Sequence, residues 1–285
     1  MTRITLANKE VKFLLDSVAP ERQVELDKLW KKYEPEFRLL EDDGPAGQFV
    51  MEAGLYRIVR FNHRVMRLFW LGAFVAWEGY VSLHAHLVGE QGASFARFRE
   101  MIDNFNRVLA EGDPATIPLP AHVPVPGSFP SRDDPMRGPA ELAVFCAGWA
   151  LLHEIRHIQF QQEGKSAASD DRDAMRAEEF SCDEYATKFI LEQVGEYAKL
   201  HSVSEQQVHF KRSVGIYFAL FTMALASRDR WGQTDTHPAF QDRIVAIRRH
   251  MGPDDINLAD AIAHAAFGAL WHFWPNAPGP FKRVR

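Results

Sequence analysis

The chain has 285 residues, 46% hydrophobic and 25% charged, enough to bury a full core in one large domain or two small ones. A formal net charge of −5 and a pI near 6.2 argue against a nucleic-acid-binding surface, and the short basic run Phe281–Arg285 reads as a solvated end. Two cysteines, Cys146 and Cys182, exclude a secreted disulfide framework, and Met1–Thr5 leads into charged sequence with no signal-peptide core, so the chain reads as cytoplasmic.

In chain order, residues 11–40 are charged and periodic, a helical pattern that Pro20 and Pro35 break into pieces. Residues 41–48 read as a loop. A long apolar and aromatic region covers 49–88, followed by an amphipathic segment over 95–109. Residues 113–139 hold eight prolines and read as an extended connector, with an edge strand expected around His122–Val125. Helical pattern returns over 141–162 and stops before Gly164. A polar loop leads to further helices expected over 174–195, 208–227 and 238–250. Two stretches are apolar enough to invite a membrane reading, 68–77 and 214–226. The first is closed by Arg67 and Glu78 after ten residues, about half a spanning helix, and both read as buried core helices. The organisation expected is an N-terminal helical region (1–112), the proline-rich connector (113–139) and a C-terminal region carrying the chemistry (140–285), either separate or fused.

The chemistry starts from Leu152-His153-Glu154-Ile155-Arg156-His157, an H-E-x-x-H pattern. Side chains four apart on a helix stand on one face, so His153 and His157 can offer imidazole nitrogens to one zinc ion. Glu154 then lies beside the ion without ligating it, placed as a general base. The pattern would arise by chance in roughly one chain of this composition in thirty. Its setting on a buried-type helix, where two imidazoles and a carboxylate need compensation, favours a metal. A third ligand comes from the next helix, Glu178-Glu179-Phe180-Ser181-Cys182-Asp183-Glu184. Glu179 is read as that ligand, and Asp183, four residues on, as the acceptor that fixes a histidine tautomer. Glu178 and Glu184 are read as solvated. Cys182 competes as a thiolate ligand but points about 60° away from Glu179 around the helix. His84 and His86, two apart on a helix, diverge and make no second metal pair.

H-E-x-x-H followed by E-x-x-x-D resembles the gluzincin metallopeptidases. Thr236-His237-Pro238-Ala239-Phe240-Gln241-Asp242-Arg243-Ile244 resembles the T-H-P-x-x-x-x-R-I segment of HtpX-like and CAAX-prenyl membrane peptidases. The 21 residues between His157 and Glu179 are fewer than those membrane peptidases have, and their spanning helices are missing. In length and layout the chain is similar to the Lit-like phage-exclusion peptidases. The resemblance implies a mainly α (α+β) fold with a zincin-like core, a small edge sheet and an N-terminal helical region. It also implies a protein or peptide substrate (a host translation factor on the Lit-like reading), while the motif itself calls for Zn2+, and the net charge and the short apolar stretches give no nucleic-acid or membrane partner. Pro238 suits a first helical position, so His237 stands at a helix start where it can donate to a developing oxyanion. Arg243 can brace the ligand carboxylate or bind substrate backbone. Capping and a surface position are the plain alternatives for these two residues. Two functional alternatives stay open, a peptidase-like binding or sensor protein with non-catalytic zinc, and a zinc hydrolase acting on a small amide.

Overall fold

The computed structural model describes residues 5–41, 49–228, 230–252 and 257–280. The loop expected over 41–48 falls almost wholly outside them, as does the basic run 281–285. Short strand β1 (Thr5–Leu6) and helices α1 (Asn8–Val18) and α2 (Gln23–Tyr33) open the chain, with a single 3-10 turn at Pro20–Arg22 between the helices. Glu34 ends α2 in the left-handed region (φ 43°), and Pro35 prevents the helix from resuming. The helical reading fails beyond this point. Glu36–Leu40 is strand β2, followed by β3 (Met51–Ala53) and β4 (Ile58–Asn62) inside the apolar region. The sheet order is β1-β2-β4-β3. β2 runs parallel to β4, and the outer pairs are antiparallel. Phe37 and Val59, paired across the centre, are fully buried, which is why five-residue strands suffice here.

Asn62 caps α3 (His63–Leu87) by accepting from Val65 N at 3.0 Å. α4 (Ala96–Ala110) follows, and then the connector. No strand forms at His122–Val125. Val123 N bonds back to Pro120 O, and Pro124 supplies its carbonyl to Trp70 Nε1 at 2.8 Å, so the segment turns and packs rather than pairing. α5 (Arg137–Gln162) ends at Gly164, whose φ of +67° lets Lys165 N reach Phe160 O. α6 (Arg172–Leu191) begins with Asp171 accepting from Ala174 N. The pattern read as one helix to Gly195 breaks at 192–193 and continues as α7 (Val194–His201). α8 (Glu205–Ala226), α9 (Phe240–Arg248) and α10 (Leu258–Phe273) complete the chain. α10 has no counterpart in the sequence reading, and α9 starts two residues later than Pro238.

α3, α5 and α8 pack on one another, α10 covers α3 and α8, and α6 lies against α5 and α9. Gly215 permits the α5–α8 approach, since a Cβ there would collide with Phe145. One hydrophobic core takes residues from both sides of the connector, Phe74 and Phe98 as well as Trp149 and Phe218. The two apolar stretches singled out in the sequence are buried within it. Among the described residues no helix is long and apolar enough to cross a membrane.

Candidate metal centre

α5 sets the site. Trp149 is fully buried one turn before His153, and its indole N–H donates to Thr187 Oγ1 of α6 at 3.0 Å. That bond ties α5 to α6 one turn from the facing polar groups. The structure brings His153, His157 and Glu179 together. His153 Nε2 and His157 Nε2 are 3.2 Å apart, His157 Nε2 is 3.3 Å from Glu179 Oε1, and His153 Nε2 is 3.5 Å from Glu179 Oε2. A tetrahedral zinc with bonds of about 2.0–2.1 Å holds its ligand atoms about 3.3–3.4 Å apart, and the two ring nitrogens, with one oxygen of Glu179 facing each, lie near that spacing. Cys182 offers a competing triad. Its sulfur and one nitrogen of each histidine lie within 4.8 Å of one another. That spacing is an upper bound looser than the Glu179 edges, and the thiol is fully buried, which pushes its pKa up to about 11 against the opposing pull of His157. The two histidines therefore face two candidate third donors, the Glu179 carboxylate and the Cys182 thiol.

The outer ring nitrogens are also held. His153 Nδ1 lies 2.9 Å from Asp183 Oδ1, and His157 Nδ1 lies 2.7 Å from Glu178 Oε1. A ring that donates from Nδ1 keeps its Nε2 lone pair for a cation. Glu178 is therefore not solvated; its side chain is 13% exposed, and its second oxygen accepts from Ala167 N at 2.6 Å. The sequence reading missed it because a neighbour of Glu179 on a helix points about 100° away. His157 lies one turn along α5 and meets that second direction.

Electrostatics follow from this crowding. Burial opposes charge on His153, yet Asp183 and Glu179 outweigh it and push its pKa up to about 9. Burial likewise opposes charge on His157, and contacts with Cys182, Glu178 and Glu179 raise it further still. Glu179 is driven well below the usual carboxylate range despite its burial, by hydrogen bonds from both histidines and the charge of Arg243. The paired rings and carboxylates thus hold protons where a divalent cation would put positive charge.

Glu154 stands apart from these pairs. Burial raises its pKa, and its Oε2 accepts from Ala53 N at 2.6 Å. Ala53 is on β3, the terminal strand of the sheet, so its amide is spent on the carboxylate rather than on the β4 ladder. No sequence signal could have paired residues 53 and 154. Arg243 is buried, donates to both oxygens of Asp183 at 2.8 and 2.7 Å, and lies 3.9 Å from Glu179 Oε2. His237 sits in the bend before α9, with its side chain 55% exposed, its Nε2 3.7 Å from Glu179 Oε1, and its Nδ1 2.7 Å from Thr236 Oγ1. It is not at a helix start, because Ala239 occupies the cap of α9. A cavity of about 790 Å³ opens elsewhere, between α1, the start of α3 and the first half of α5, and none of these polar groups lines it.

No curated protein and no solved structure matches the chain. The sequence model of the Peptidase U49 family matches residues 59–266, a span that runs from β4 into α10 and contains His153, Glu154, His157, Glu178, Glu179, Asp183, His237 and Arg243. That match covers most of the chain, and the chain belongs to the Peptidase U49 family.

Proposed function

We propose that this peptidase is a zinc-dependent endopeptidase in which His153, His157 and Glu179 hold the ion and Glu154 is the general base. The observation that carries the reading is the pair of Nε2 atoms 3.2 Å apart facing the Glu179 carboxylate, whose Oε1 lies 3.3 Å from His157 and whose Oε2 lies 3.5 Å from His153, with the unligating Glu154 beside the first histidine on α5. Zinc, when bound, supplies a Lewis acid that polarises a peptide carbonyl and lowers the pKa of water toward neutrality.

The chain's own groups do the rest. Glu154, with a pKa raised by burial, takes a proton from the attacking water and later returns it to the departing amine. The Ala53 amide holds its carboxylate in place throughout. His237, exposed and steered by Thr236, donates to the oxyanion that develops on the carbonyl. Arg243 is too buried to meet substrate; it holds Asp183, which in turn orients His153.

Membership of a peptidase family supports a polypeptide substrate over a small amide. The resemblance to the Lit-like phage-exclusion peptidases makes a host translation factor in the cytoplasm the first substrate to examine. One observation favours a second reading. If Cys182 ligates together with the two histidines and Glu179, four protein donors close the site and the zinc is structural, in a binding or sensor protein. Comparing the protein fragments in cells that express the wild type or Glu154→Gln separates the two. A fragment present only with the wild type supports the peptidase, and identical fragment patterns with a zinc-loaded wild type support the second reading.

A further inference from the structure

We propose that Glu178 is the positioning residue for His157, and that it delivers more negative charge to the metal centre than Asp183 does through His153. The inference rests on the zinc reading above. The two histidines are held alike, each donating from Nδ1 to a carboxylate of α6, at 2.9 Å for His153 and 2.7 Å for His157. The carboxylates themselves are not alike. Asp183 spends both oxygens on the Arg243 guanidinium, which cancels most of its charge locally. Among the described residues no arginine or lysine pairs with Glu178; its other partner is the uncharged backbone N–H of Ala167.

A carboxylate without a cation pulls harder on an imidazole N–H, and the ring then pushes more electron density to its opposite nitrogen. His157 Nε2 is therefore the stronger donor of the pair. The Ala167 amide adds precision, because it ties Glu178 to the α5–α6 loop and fixes which oxygen faces the ring. The adjacent Glu179 is left free to turn its own carboxylate toward both Nε2 atoms.

The test is competition for zinc between the full chain and a chromophoric chelator, with ¹⁵N spectra of the histidine rings as a second readout. Glu178→Ala should bind zinc roughly 10–100-fold more weakly than the wild type. Glu178→Gln, which keeps the shape and an acceptor oxygen but not the charge, should fall between the two and keep His157 as the Nδ1–H tautomer with zinc at Nε2. Wild-type affinity in Glu178→Ala would overturn the positioning role, and wild-type affinity in Glu178→Gln would overturn the charge argument. A wild-type chain that takes up no zinc overturns the metal reading itself, a different result from either variant behaving like a zinc-binding parent.

Discussion

Arg243 grips both oxygens of Asp183, at 2.8 and 2.7 Å, across 60 residues of sequence, and Asp183 in turn holds His153 Nδ1 at 2.9 Å. The three make a relay from α9 through α6 to α5, all of it buried. Such a pair stabilises little relative to a hydrophobic substitute, but removing one member strands a charge in the interior. Arg243→Ala should therefore lower unfolding free energy by about 3–5 kcal/mol, read from urea denaturation. A loss below 1 kcal/mol would mean that Asp183 finds another partner or takes up a proton.

Glu154 touches no other side chain through a hydrogen bond or ion pair among the described residues, and its one bond is to the Ala53 amide. Glu154→Gln keeps the shape and should keep the metal. Peptide hydrolysis should drop by about 100- to 10,000-fold with zinc content unchanged. Full activity in a zinc-loaded Glu154→Gln protein removes Glu154 from the proton transfers.

Glu179 and Cys182 make opposite predictions. Glu179→Ala should lose most of its zinc by elemental analysis, because two imidazoles alone make a weak site. Cys182→Ser should keep it. The reverse outcome transfers the third ligand position to the thiol.

Protons and zinc compete for the same nitrogens. With the His153 pKa pushed up to about 9 and His157 raised as well, the coupled pair of rings holds an extra proton at neutral pH in chelator-stripped protein. Zinc uptake should release protons, measured by titration calorimetry in buffers of different ionisation enthalpy, and affinity should rise with pH toward 9. Stability of the stripped protein runs the other way. A folded-state pKa raised above the usual 6.5 gives stability that is complete below about pH 6.5 and lost as pH climbs through 9. The melting temperature of stripped protein should therefore fall across that window.

The site was legible in the sequence where one helix period decides geometry. Residues 153 and 157, and residues 179 and 183, share a face by spacing alone, and the acid next to the first histidine follows from the same rule. Glu178 was not legible, because its partner His157 lies on another helix, and sequence spacing does not give the rotation of one helix against another. Nor was Ala53, whose amide reaches Glu154 only once β3 is placed at the sheet's end. The fold divides similarly. Long apolar helices announced themselves, whereas β2, β3 and β4 are three to five residues long and sit in apolar or charged runs without clear alternation. The extended reading of the connector failed at His122–Val125, where the chain turns, with Val123 N bonded to Pro120 O, and packs through the Pro124 carbonyl without a ladder.

X-ray absorption at the zinc edge of purified protein tests the central claim most directly. One zinc per chain, two imidazole nitrogens and oxygen neighbours at about 2.0–2.2 Å, and no sulfur, is the predicted result. A sulfur neighbour at about 2.3 Å, or no bound zinc at all, would contradict it.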